Sequence, residues 1–127
     1  MLFDIDHLKL INDRFGHGCG DRIIKGAAAV IAKVLGPDNT FRIGGDEFIA
    51  ILEGVPEDRL PRYLADIQRE IDAFNAANET LDTALSLSMG GAACQNGDTA
   101  FRDVFNRADA AMYREKDSHH RQSAAMV

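Results

Sequence analysis

Cysteine is scarce in this chain: Cys19 and Cys94 are the only two among 127 residues. They lie too far apart for a zinc knuckle and are too few for a disulfide scaffold, so a reducing cytosol and two buried thiols are expected. Positive charge is also short. Fourteen Lys and Arg face twenty Asp and Glu, a net charge of −6, which excludes a general nucleic-acid binder with a basic face. No apolar run approaches bilayer length, and Met1-Leu2-Phe3 meets Asp4 too soon to be a signal peptide. The chain reads as soluble, with no membrane segment of its own. Repeats and low-complexity linkers are absent. The single compositional break is at Ser118, where His119, His120 and Arg121 precede Ser123-Ala124-Ala125, and residues 118–127 are expected to fray. What is present is 46% hydrophobic content, enough for one domain over residues 1–127 with one sizeable core.

Periodicity lays out the elements. Met1-Leu2-Phe3 predicts a strand entering Asp4, and His7 to Phe15 a first helix. After Gly16 to Gly20, the residues Ile23, Ala27, Val30, Ile31 and Val34 repeat on one helical face until Gly36-Pro37 stops them. Thr40 to Ile43 and Phe48 to Leu52 flank Gly44-Gly45 as an antiparallel hairpin, its glycines suited to a positive-φ turn. The second of these runs is apolar throughout, as expected for a central strand covered on both faces. Leu60, Leu64, Ile67, Ile71 and Phe74 write another helix. Leu85, Leu87 and Met89 alternate with Ser86, Ser88 and Gly90 in a strand, and Phe101, Val104, Phe105, Ala108 and Met112 form a final helix. The order predicts an α+β fold: an antiparallel βαββαβ sheet flanked by helices, with the first strand beside the third.

That adjacency has a chemical consequence. The end of the first strand carries Asp4 and the start of the third carries Asp46 and Glu47, so two acid clusters meet at one edge of the sheet. Crowded carboxylates repel unless a cation joins them, and hard oxygen ligands suit Mg²⁺. Asp6 stands where strand passes into helix and is expected as an N-cap, leaving the first-turn N–H groups free for phosphates. Lys9 could add a cation there or remain a solvated lysine. Asn12 and Asp21 have the donors and acceptors to read guanine, with capping as the plainer role for each, and His17 alone says little.

Several ordered segments resemble one family: Asp4-Ile5-Asp6-His7-Leu8-Lys9-Leu10-Ile11-Asn12-Asp13, Phe15-Gly16-His17, Gly20-Asp21 and Gly44-Gly45-Asp46-Glu47-Phe48. Ser88-Met89-Gly90 and Ala108-Asp109-Ala110-Ala111-Met112-Tyr113-Arg114-Glu115-Lys116 extend the likeness. Together they resemble the GGDEF domain of diguanylate cyclases. The resemblance implies a palm-like, ferredoxin-like fold of the nucleotide-cyclase type, and the joining of two GTP into cyclic di-GMP with release of pyrophosphate. It implies that Asp4, the Ile5 carbonyl, Asp46 and Glu47 hold Mg²⁺, or Mn²⁺ in its place, with Asp46 or Glu47 as the base. It further implies GTP binding by His7, Leu8, Lys9, Asn12, His17, Asp21, Lys116 and Arg121. Two copies must face each other, because each half-site holds one GTP, so the expected partners are GTP, a second copy and an upstream sensor domain. The expected location is the cytoplasm, whether or not the parent protein is membrane-anchored.

Departures from the pattern matter too. The family's inhibitory product site uses Arg-x-x-Asp, and here the segment is Leu35-Gly36-Pro37-Asp38. Without the guanidinium, product inhibition through this site should be weak or absent. After Lys116 the family continues with two residues and then Gly-Arg, whereas this chain has Asp117-Ser118-His119-His120-Arg121. Either Arg121 or His120 then stands in for the phosphate-binding arginine. Leu8 replaces a common Phe. The family domain also starts a few tens of residues earlier, so the chain looks like a domain trimmed at its N-terminus. The alternative to a working cyclase is an inactive GTP-binding regulatory domain.

Overall fold

Alternation along four short strands sorts the side chains onto two faces, and each face recruits different helices. The computed structural model describes residues 1–125, with side chains through Gln122. The strands are β1 (Leu2–Ile5), β2 (Thr40–Arg42), β3 (Glu47–Ala50) and β4 (Leu87–Gly90), and the helices are α1 (Leu8–Phe15), α2 (His17–Leu35), α3 (Leu60–Ala77) and α4 (Phe101–Ala125). The sheet order is β2-β3-β1-β4 with every neighbour antiparallel. The first strand therefore lies beside the third, as the sequence predicts.

Phe3, Ile5, Phe48, Ala50, Leu87 and Met89 point to one face and meet Ile23 and Ile31 of α2 and Ile67 and Ile71 of α3 in the main core. Their burial supplies most of the driving force for folding. Leu2 faces the other way, onto Ala108 and Met112 of α4, with Ile49 and Phe105 half-buried beside them. Here α4 comes very close to the sheet. A side chain at Gly90 would begin 2.3 Å from the Ala108 carbonyl oxygen and 2.4 Å from the Met112 nitrogen, so only glycine allows the crossing.

Several expectations need correction. β3 is interior in the sheet, yet one face is incompletely covered: Ile49 is half-buried, Ile51 is 47% exposed and Leu52 lies beyond the strand. α2 begins at His17, not after Gly20, because Gly18 and Gly20 are tolerated in a first turn that packs on α1. Asp21 is thus inside the helix and caps nothing. Gly44 and Gly45 do not take positive φ; the positive-φ glycines are Gly16, Gly36 and Gly54. Cys19 is half-buried and Cys94 exposed, so neither is a core thiol. α4 runs unbroken past Ser118 to Ala125, since Asp117 to Gln122 contain no helix breaker and helical neighbours hold them; residues 126–127 lie outside the described residues. No helix among the described residues is long and apolar enough to cross a membrane.

Candidate active site

Antiparallel pairing places Glu47, Asp4 and Ser88 in one row across β3, β1 and β4, all on the face that α4 crosses. Asp4 and Ser88 are buried and Glu47 half-buried, and buried polar side chains must find partners. Asp4 is 3% exposed, and its Oδ2 accepts a 2.7 Å hydrogen bond from Lys116 Nζ on α4. Its Oδ1 is buried without a donor, and the Asp46 carboxylate faces the same group. Burial and Asp46 outweigh Lys116, so the Asp4 carboxyl is pushed up to about 6. Lys116 in turn is raised by its hydrogen bond to Asp4. The hairpin that brings Asp46 here is held from within: Arg42 donates to the Gly44 and Gly45 carbonyls at 3.1 and 2.8 Å, and Ile5 N–H donates to the Asp46 carbonyl at 2.8 Å. A side chain at Gly45 would meet nothing within 4 Å, so this bare backbone lies open to an incoming molecule.

Asp6 behaves differently from the expected N-cap. It is 2% exposed and accepts from Ser86 Oγ and Ser88 Oγ, each at 2.6 Å, and from His119 Nδ1 at 2.8 Å. Three donors in the interior outcompete capping, and the cap residue is His7, in the left-handed conformation at φ 60 with no side-chain cap bond. The first-turn N–H groups of α1 are free of any acidic neighbour in that turn, which leaves them ready for an anion. Ser86, Ser88, His119 and Glu115 were not singled out from sequence. Glu115 accepts from Met89 N–H at 3.2 Å, and burial raises its carboxyl. The one available signal was that serines alternate along a strand expected to reach the acidic end of the sheet.

The Diguanylate cyclase, GGDEF domain model matches residues 1–122, the span that holds all of these side chains. The chain belongs to the GGDEF family. This GGDEF domain is 39% identical over 119 residues to diguanylate cyclase DosC of Escherichia coli (strain K12), covering 91% of this chain and 25% of that protein. It is 31% identical over 119 residues to diguanylate cyclase DgcS of Shewanella oneidensis, covering 93% and 38%. The chain thus spans a quarter to two-fifths of these relatives. Among solved structures, the GGDEF domain of DgcB from Caulobacter crescentus, in complex with c-di-GMP, superposes with a TM-score of 0.78 at 32% identity, over 92% of this chain and 70% of that one. The active GGEEF domain of a diguanylate cyclase from Vibrio cholerae gives 0.77 at 29% identity, over 92% and 74%.

The other residues expected to bind nucleotide have surroundings of their own. Asn12 Oδ1 fills the space where a Gly20 side chain would begin, beside exposed Asp21 and one turn from exposed His17. Leu8 is buried, so only its backbone can serve a ligand, and Lys9 is exposed. Arg121 is exposed, and its Nη2 donates to Asp117 one turn back at 2.5 Å. His120 instead stacks near His7, ring centroids 4.8 Å apart, at the start of α1. Leu35 is buried at the end of α2 and Asp38 is exposed in the short 3-10 turn Pro37–Asn39.

Proposed function

We propose that this domain is a diguanylate cyclase, condensing two GTP into cyclic di-GMP with loss of two pyrophosphates. One observation carries the reading: a buried, donorless carboxylate oxygen of Asp4 faced by a second acid, Asp46, with Lys116 on the remaining oxygen. Such a pair is costly to bury and is relieved by a divalent cation. Among the described residues no three His, Cys, Asp or Glu side chains group as a complete metal cage. Two carboxylates completed by substrate phosphates are what Mg²⁺ ordinarily takes, so the residues fit it. Asp4 and Asp46 would hold the ion, with Glu47 and the Ile5 carbonyl adjacent. Bound there, Mg²⁺ would neutralise charge at the α-phosphate and acidify the attacking ribose hydroxyl.

The chain's own groups supply the rest. Glu47 or Asp46 accepts the proton of the 3′-hydroxyl, and the first-turn N–H groups of α1 cradle the phosphate tail. Lys116, already charged and aimed into the site, offsets the developing negative charge. Asn12 and Asp21 hold the guanine edge. Two copies must meet face to face, because one chain offers one such pocket and an in-line attack needs a second GTP.

A non-catalytic GTP-binding regulator is the second reading, favoured by Arg121 pairing with Asp117 on the surface of α4. Incubation with GTP and Mg²⁺ across a series of protein concentrations separates the two. Cyclic di-GMP rising faster than linearly with protein supports the cyclase; Mg²⁺-dependent GTP binding with no product at any concentration supports the regulator. With Leu35 buried where the product site needs arginine, added cyclic di-GMP should leave initial rates unchanged at micromolar concentrations.

A further inference from the structure

Beyond Met112, no apolar side chain of α4 is buried among the described residues; Tyr113 is 62% exposed. The stretch that carries Lys116 is therefore held to the sheet by polar contacts. On that turn Glu115 accepts from Met89 N–H at 3.2 Å, and the long Lys116 side chain loses much rotamer freedom when fixed, so its hold on Asp4 gains from a further contact that orders the helix. One turn further along, His119 reaches Asp6, which Ser88 of β4 and Ser86 just before it already hold.

We infer that His119 is a positioning residue, pinning the end of α4 to Asp6 and thereby setting Lys116 on Asp4. The inference rests on the cyclase reading for its consequence in GTP binding, and on geometry alone for the contact. The direction of the hydrogen bond follows from chemistry. Asp6 as a carboxylate can only accept, and Ser88 Oγ spends its hydrogen on Asp6 Oδ1 at 2.6 Å. Nδ1 must then carry hydrogen, donating to Asp6 Oδ2 at 2.8 Å with Ser88 Oγ as a weaker second acceptor at 3.2 Å. His119 Nε2 is left 3.8 Å from Glu115 Oε1, beyond hydrogen-bond distance. The working atom is Nδ1. Asparagine offers an amide N–H at the place of Nδ1, whereas glutamine offers one at the place of Nε2.

The test uses the full chain without nucleotide and follows the Lys116 Nζ signal by ¹⁵N NMR, assigned by its loss in Lys116→Met. An ammonium held on Asp4 exchanges slowly with water and is visible. The signal should vanish in His119→Ala and His119→Gln and return in His119→Asn. Persistence in a folded His119→Ala, or equal behaviour of the Gln and Asn variants, overturns the inference; the Gln and Asn pair decides alone if the Ala variant does not fold. In GTP–Mg²⁺ titrations, His119→Ala should weaken binding about tenfold and add nothing in the Lys116→Met background. Additive losses also overturn it. If the wild-type chain binds no GTP, the cyclase reading falls while the NMR comparison still judges the contact.

Discussion

The two halves of α4 lie over the same sheet and meet it by opposite means. Its N-terminal half borders an open groove of about 790 Å³ lined by Leu2, Ile49, Phe101, Val104 and Phe105, with Phe101 59% exposed. Among the described residues its C-terminal half buries no apolar side chain beyond Met112 and is fastened by Lys116 to Asp4, by Glu115 to the Met89 N–H and by His119 to Asp6. Apolar packing is tolerant of small shifts, whereas charged hydrogen bonds fix distance and direction. The end that reaches the acids uses the second kind.

The largest test of that contrast is Asp46→Asn. Turnover should fall on the order of a hundredfold or more, as expected when a metal-holding carboxylate is lost. The unfolding midpoint should hold or rise, because an acid facing Asp4 has been removed. Product chromatography alongside a thermal melt checks both, and a matching collapse of stability and activity would reduce Asp46 to a structural acid. Next, Met112→Ala at the junction of the halves should cost about 2–4 kcal/mol in urea unfolding, whereas Phe101→Ala in the groove should change stability by less than about 0.5 kcal/mol. Similar losses for the two would mean that the groove is packed as tightly as the junction. Gly90→Ala should cost about 1–3 kcal/mol by forcing α4 off β4, and Lys116 would move with it.

The smallest effect concerns the loop before α4. Arg107 donates to both Asp98 oxygens at 2.7 and 2.8 Å, and that bond chiefly holds the Asp98 carboxyl at about 2 against an ordinary 3.8. A depressed acid stabilises the fold above its unfolded value and ceases to as pH falls through the folded one. The difference in melting temperature between wild type and Asp98→Asn should therefore be present at pH 5.5 and shrink between about pH 4 and 2. A constant difference across that range would show that the carboxylate charge is not what matters.

Much of this arrangement was legible in the sequence, for reasons that differ by region. The helical spacing of Ile23, Ala27, Val30 and Ile31, and of Ile67 and Ile71, predicts faces that are indeed buried. The meeting of Asp4 with Asp46 and Glu47 followed from strand order, since antiparallel neighbours bring the end of one to the start of the other. The role of Asp6 was not legible. Its donors stand 80 to 113 positions away, and a local pattern sees only an acid before a helix, which usually means a cap. His119 was hidden likewise, because its partner is set by how far α4 continues and the composition after Ser118 suggested a stop. The turn at Gly44-Gly45 was read from glycine's freedom, while the chain uses the absence of side chains there and leaves φ ordinary.

Gly90 gives α4 a fulcrum. Twenty-five residues make a rod of roughly 37 Å, and Lys116 lies about 6 Å beyond the Met112 end of the crossing. On so short an arm, a tilt of a few degrees displaces the ammonium by well under an ångström, while the far tip at Phe101, roughly 10 Å on the other side, swings through a larger arc. The bare crossing point thus ties the two ends of α4 together: how the helix seats over the groove sets, within a fraction of an ångström, where the ammonium stands over the acids.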